Sequence, residues 1–188
     1  ANNIIKTAVD NFGRIDILVN NAGIDREMDI WDMQDKDWDA VLKTNLYGNF
    51  FCTRAAVIAM KKAIDEGKQE RGAIINITSH AGTKGNPKRP SYSAAKAGVI
   101  GFTYSCALAL WEYGIVCNAV APHAQSRFSQ NDTDEKLRAL AKARNFPNAD
   151  TASIAEIKEK FLGPPEVVAP LICWLASDNA KNITGEIF

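Results

Sequence analysis

The chain has 188 residues, 46% of them apolar, which is enough for one sizeable buried core. Its 22 Lys+Arg balance 22 Asp+Glu, giving zero net charge. No basic excess points to nucleic acid, no like-charge block to a tail, and no apolar run reaches the roughly 18 residues that span a bilayer.

Residues 1–12 read as the end of an amphipathic helix, with Ile4, Ile5, Val9 and Phe12 near helical spacing and Gly13 as its stop. Residues 15–19 form an apolar run too short for a helix and suited to a buried parallel strand. Asn20-Asn21-Ala22-Gly23 follows. Open α/β sheets gather ligand contacts at the carboxyl edge of their strands, so this tetrapeptide is a candidate contact; a plain turn uses the same residues. From Asp32 or Asp35 to about residue 64, Trp38, Val41, Leu42, Asn45, Leu46 and Phe50 predict one long helix. Asn45 lies inside that apolar stripe. It is either a satisfied core amide or the holder of a water beside an active site.

A polar loop leads to a strand at 73–78, and Pro87 and Pro90 stiffen the segment after it. A helix is predicted over 92–113, with Ala94, Gly98, Gly101 and Ser105 making a small-residue stripe for the sheet or for a second subunit. Residues 115–121 form another apolar strand ending at Pro122. Residues 126–162 read as less ordered, with helical patches at 135–143 and 153–161, the kind of segment that serves as a substrate lid. Pro165 opens a helix to Ala176 that Pro170 is expected to kink, and Ile183-Thr184-Gly185 leads into a last strand stopping at Phe188. Alternating strands and helices imply βαβ crossovers and a mainly parallel sheet. With no repeat, low-complexity run or linker, residues 1–188 read as a single domain. The chain opens within a helix and closes within a strand, so that domain is expected to be part of a larger one.

Cys52, Cys106, Cys117 and Cys173 are scattered through apolar segments without a Cys-x-x-Cys pair. They read as free thiols of a reduced core, consistent with a cytoplasmic protein, rather than as disulfides or metal ligands. His80 and His123 are too far apart, with no Cys or carboxylate cluster, to suggest zinc.

The chemistry is carried by Ser79, Tyr92 and Lys96. Ser79 ends the 73–78 strand; Tyr92 and Lys96 are one turn apart and share a helix face. An ammonium near a phenol favours the phenolate by up to about 4 kcal/mol at an effective dielectric of about 20. That should pull a tyrosine pKa of about 10 toward neutrality, making Tyr92 a general acid or base. Tyr-x-x-x-Lys alone is common on helices. The combination of strand, terminal Ser, loop and Tyr/Lys turn is specific.

Together these motifs resemble the classical short-chain dehydrogenases/reductases over nearly the whole chain. Asn20-Asn21-Ala22-Gly23, Asn45 within Lys43-Thr44-Asn45-Leu46-Tyr47-Gly48, Ser79, the Tyr92/Lys96 pair, Asn118-Ala119-Val120-Ala121-Pro122 and Ile183-Thr184-Gly185 fall in the family's order. The resemblance implies a three-layer, Rossmann-like, doubly wound parallel sheet, incomplete at its N-terminus, with residues 1–188 as the C-terminal two-thirds or so. It implies NAD or NADP as cofactor, and interconversion of a secondary alcohol and a ketone. Tyr92 would exchange the proton, Ser79 would stabilise the substrate oxygen, and Lys96 would lower the Tyr92 pKa and bind the nicotinamide ribose. Asn45 would fix a relay water. Asn20, Ala22, Gly23, Pro122, Gln125 and Ser126 would join Tyr92 and Lys96 around the cofactor.

The resemblance further implies a homodimer or homotetramer, formed through the two long helices. The family's glycine-rich turn is not in this sequence and is expected ahead of Ala1. His123 and Arg127 stand where the family usually has Gly and Thr, a pattern similar to its β-hydroxyacyl-CoA dehydrogenase branch; a β-hydroxyacyl or β-ketoacyl thioester is one expected substrate. Lys84, Lys88 and Arg89 form either a solvated loop or a contact for an acidic substrate portion. The alternative is a non-catalytic relative serving as a binding or assembly module.

Overall fold

The structure is a computed structural model that describes residues 1–124, 133–143 and 145–188. They fall into two compact units, residues 1–121 with 172–188, and residues 122–171.

The first unit is built on three parallel strands in the order β1 (Ile17–Asn20), β2 (Gly72–Ile77) and β3 (Ile115–Val120). The register pairs Leu18 with Ile74 and Ile74 with Cys117. All six positions of β2 and of β3 are buried, as parallel strands covered on both faces require. Helix α1 (Asn2–Phe12) precedes β1 and stops at Gly13, whose φ of 81° is left-handed. Between β1 and β2 run α2 (Asp35–Leu42), a π-helical turn (Lys43–Tyr47) and α3 (Gly48–Asp65), joined end to end as the long helix the stripe predicted. Between β2 and β3 lie a single turn, α4 (Ala81–Lys84), and α5 (Pro90–Leu110), which ends in a 3₁₀ turn at Trp111–Tyr113.

One face of the sheet builds the core. Leu18, Ile74 and Cys117 meet Ile5 of α1, Ala56 and Met60 of α3, and Ala107 and Leu110 of α5. Toward the carboxyl ends of the strands the same face turns polar. Asn20 Nδ2 donates to Asn76 Oδ1 (2.8 Å) and Thr53 Oγ1 (2.9 Å), and Asn76 Nδ2 donates to Thr103 Oγ1 (2.9 Å). These buried amides are paired across two strands and two helices, so the strand ends sit at fixed heights.

Several expectations change. Helix α5 with its 3₁₀ end, Pro90–Tyr113, is long and apolar enough to cross a bilayer by length and composition. Here Tyr92, Ala95, Val99, Ala107 and Leu110 are buried instead against the rest of the unit. Pro170 is the second residue of α8 (Ala169–Ala176), where a missing N–H costs nothing, so it starts a helix rather than kinking one. The last strand is reduced to one parallel bridge, Ala119 to Ile187, with Asn118 fastening the segment through Ile183 O and Glu186 N. All four cysteines are free, but Cys173 is exposed rather than in the core.

The second unit contains α6 (Asp134–Ala143), α7 (Ile154–Glu156) and a π-helical turn (Ile157–Leu162) around Ala141, Ala149, Ala152 and Ile157. Ser153 caps α7 through Glu156 N. Arg138 Nη1 ties α6 to Ala149 O (2.6 Å). Of the stretch 126–162 expected to be less ordered, the described residues 133–143 and 145–162 therefore have a small core of their own, while 126–132 and 144 lie outside the described residues.

Candidate active site

The carboxyl end of β2 delivers Ser79 to the first turns of α5. The two elements are fastened reciprocally: Thr78 Oγ1 donates to Lys96 O (2.8 Å), and Lys96 Nζ donates to Ile77 O (2.6 Å). Gly82 of α4 allows the closest approach. A Cβ there would lie 2.7 Å from Lys96 C and 2.8 Å from Ala97 N, both main-chain atoms of α5. Gly82→Ala should therefore cost about 1–3 kcal/mol of stability and pull Ser79 away from α5. Chemical denaturation and turnover measured together check this, and an unchanged variant would show that the loop absorbs the methyl.

Ser79 Oγ accepts from Ala81 N (3.2 Å) and hydrogen-bonds the Tyr92 phenol. Tyr92 is 9% exposed. Burial raises its pKa above the usual value, the Ser79 hydrogen bond lowers it, Asp25 raises it and Arg89 lowers it. The expected depression by Lys96 is not found. The ammonium lies 5.5 Å from the centre of the Tyr92 ring and bonds Ile77 O, so desolvation of the phenol dominates. Lys96 is itself 3% exposed, and burial lowers its pKa from 10.5 to about 8.

Asn45 is fully buried in the π-helical turn, an irregularity common at functional sites. Its Oδ1 accepts from Ile24 N (2.8 Å) and its Nδ2 donates to Ile24 O (2.9 Å). Both ends of the amide thus hold the loop after β1, and one N–H and one oxygen lone pair remain, so this pairing is compatible with either expected role. Gly23 fits between Asn45 and Lys96, since a Cβ on it would lie 3.3 Å from Asn45 Oδ1 and 3.8 Å from Lys96 Nζ. Asn20 turns into the core toward Thr53 and Asn76, and shapes the site by placing the exposed Ala22 and the half-buried Gly23 after it. Pro122 is exposed and belongs to the second unit, while Gln125 and Ser126 lie outside the described residues.

His80 Nδ1 is 3.1 Å from Thr83 Oγ1, a local contact within the loop. Lys88 and Arg89 are paired with Asp29, Asp25 and Glu27, so the loop is not a free basic patch. Sequence reasoning missed Asn76, Gly82 and the Asp25–Arg89 pair. Only Asn76 left a signal, as an amide inside an otherwise apolar strand.

The residues present fit a nicotinamide nucleotide. An ammonium can donate three hydrogen bonds; among the described residues Lys96 Nζ donates one, to Ile77 O, although it is buried. Two N–H groups remain for ribose hydroxyls beside Gly23.

A parallel α/β sheet with Ser, Tyr and Lys converging at the carboxyl edge of one strand defines a Rossmann-like protein built for dehydrogenase chemistry. The chain belongs to the short-chain dehydrogenase family, whose model matches residues 1–137. It is 45% identical over 186 residues to a 3-oxoacyl-[acyl-carrier-protein] reductase from Synechocystis, covering 98% of this chain and 67% of the relative. A Thermotoga maritima protein of the same description is 40% identical over 184 residues, covering 98% and 68%. A peroxisomal hydratase-dehydrogenase-epimerase from Neurospora crassa is 38% identical over 185 residues, 98% of this chain and 18% of that one. The crystal structure of a short chain dehydrogenase from Mycobacterium avium superposes with a TM-score of 0.77 at 34% identity, covering 100% of this chain and 54% of that one.

Proposed function

We propose that the full-length protein is an NAD(P)-dependent oxidoreductase that interconverts a secondary alcohol and a ketone, acting on 3-oxoacyl thioesters. The observation that carries this is the Ser79–Tyr92 hydrogen bond at the β2 edge, set over the buried Lys96 ammonium. Relatives described as 3-oxoacyl-[acyl-carrier-protein] reductases at 45% and 40% identity support the thioester class.

In this reading Tyr92 gives its proton to the carbonyl oxygen. Burial keeps the phenol protonated at neutral pH, which suits a donor and hence ketone reduction. Ser79 moves its hydrogen bond from Tyr92 to the developing alkoxide. Lys96 holds the ribose hydroxyls, and Asn45 keeps Gly23 and Ile24 in place beside them. The nicotinamide, when bound, supplies the hydride. The test is loss of nicotinamide absorbance with NADH or NADPH and a panel of 3-oxoacyl thioesters and simple ketones. No consumption with any of them, and no calorimetric binding of either nucleotide, would leave only a non-catalytic module.

The same proposal includes self-association through α3 and α5. Their outer surface exposes Phe50, Phe51, Tyr104, Trp111 and Leu108, the last at 84%. Arg54 lies over the Phe50 and Phe51 rings, and Phe50 meets Phe102 of α5 edge-on at 6.3 Å, so the two helices present one aromatic face. Such a face marks an interface. Leu108→Glu should convert a dimer or tetramer to monomer in sedimentation velocity; a protein already monomeric before substitution would overturn the assembly.

A further inference from the structure

The loop after β1 and the loop before α5 are joined by charge. Arg89 Nε lies 2.9 Å from Asp25 Oδ2, and its Nη2 lies 3.1 Å from Glu27 Oε2. Lys88 Nζ pairs with Asp29, and Met28 N donates to Lys88 O at 2.8 Å. The Arg89 and Asp25 side chains are only 15% and 9% exposed, so this is not a solvated surface pair. Breaking a buried pair leaves an uncompensated charge, which makes its geometry costly to disturb.

Arg89 is also the residue at which α5 begins. It stands at the N-cap with no side-chain cap on the helix, and Pro90 follows. Ser93 N donates to Arg89 O at 2.9 Å, closing the first turn around Tyr92. That turn is therefore oriented by the Arg89 guanidinium, which Asp25 holds by charge at Nε and Glu27 by a hydrogen bond at Nη2, two different residues of the loop after β1. The carboxylates it recruits also sit at the positive end of the helix dipole. The charged and titratable groups facing Tyr92 are Ser79, Asp25, Arg89 and, over the ring, Lys96.

We propose that Arg89, forked between Asp25 and Glu27, is a positioning residue for the Tyr92 proton donor, locking the first turn of α5 to the loop after β1 and holding opposite charges beside the phenol. It rests on the oxidoreductase reading above. Asp25 raises the Tyr92 pKa and Arg89 lowers it, so the two halves of the pair should be separable by pH.

The experiment measures kcat and KM against pH in the full-length protein, reducing a short 3-oxoacyl thioester with NADPH or NADH. A protonated donor gives a rate that falls as pH rises through its pKa. Asp25→Asn removes a negative neighbour and should move that alkaline limb to lower pH. Arg89→Gln removes a positive neighbour and should move it to higher pH, with kcat reduced about tenfold or more as the turn loosens. The double variant should bring the limb back toward the original while kcat stays low. Arg89→Lys keeps the charge without the fork and should restore the limb but not kcat. KM for the nicotinamide cofactor should not change.

Limbs that move together in both single variants, or Arg89→Gln with undiminished kcat, would overturn the proposal while leaving the oxidoreductase reading intact. An unaltered protein that oxidises neither nucleotide with any thioester or ketone defeats that reading and takes this one with it.

Discussion

Tyr92→Phe should lower kcat for ketone reduction by about 10²–10⁴-fold, the contribution expected of one positioned proton donor. The substitution keeps the buried ring and removes only the hydroxyl. Ser79 Oγ retains its contact with Ala81 N, and Lys96 retains its bond to Ile77 O, so the thermal transition and nucleotide binding should change little. The loss should therefore fall on kcat rather than on KM. The free protein offers a second measurement. Burial and Asp25 hold the phenol above its ordinary value of 10.0 against the opposing pull of Ser79 and Arg89. The difference in phenolate absorbance between wild type and Tyr92→Phe should appear only at pH above that value. A phenol that ionises near neutrality would mean that Lys96, not desolvation, controls it; undiminished turnover in Tyr92→Phe would remove it as the donor.

What could be read from the sequence was local and periodic. Buried parallel strands announce themselves as short apolar runs, so β1, β2 and β3 were placed to within about two residues, an ordinary boundary error. Tyr92 and Lys96 are one turn apart, and Ser79 ends a strand; both facts are properties of spacing. The rest depends on which distant segments touch. Gly82 carries no pattern of its own: its meaning comes from Lys96 and Ala97 lying against it. Arg89 meets Glu27 across 62 residues of chain, and Asn20 meets Asn76 across 56. The wrong direction for the Tyr92 pKa has the same origin. Spacing reported the neighbouring ammonium but not the burial of the phenol, and burial wins. Asn45 shows the limit from the other side: its place in an apolar stripe was legible, but its partner, the main chain of Ile24, was not.

Lys96→Met should abolish turnover and yet stabilise the protein at neutral pH. The folded state binds the Lys96 proton with a pKa of about 8 against 10.5 when exposed, because burial penalises the ammonium. Below about pH 8 both states carry the proton and the cost of burying it is fully present, roughly 3 kcal/mol. Between about 8 and 10.5 the folded state has released the proton while the unfolded chain still holds it, so this group makes stability rise with pH across that window. Methionine fills a similar volume without a charge, and losing the bond to Ile77 O offsets about 1 kcal/mol of the gain. A net gain of about 2 kcal/mol is expected at pH 7, shrinking as pH rises from about 8 to 10.5 and gone above that, read by denaturant unfolding at pH 7 and at the alkaline end of the window. A variant less stable than wild type at pH 7 would mean that the Ile77 bond and the ring contact outweigh desolvation. The expected result says the opposite: the ammonium is kept at a cost in stability because its two remaining N–H groups have work to do on a ligand, which is the usual sign of a functional rather than a structural buried charge.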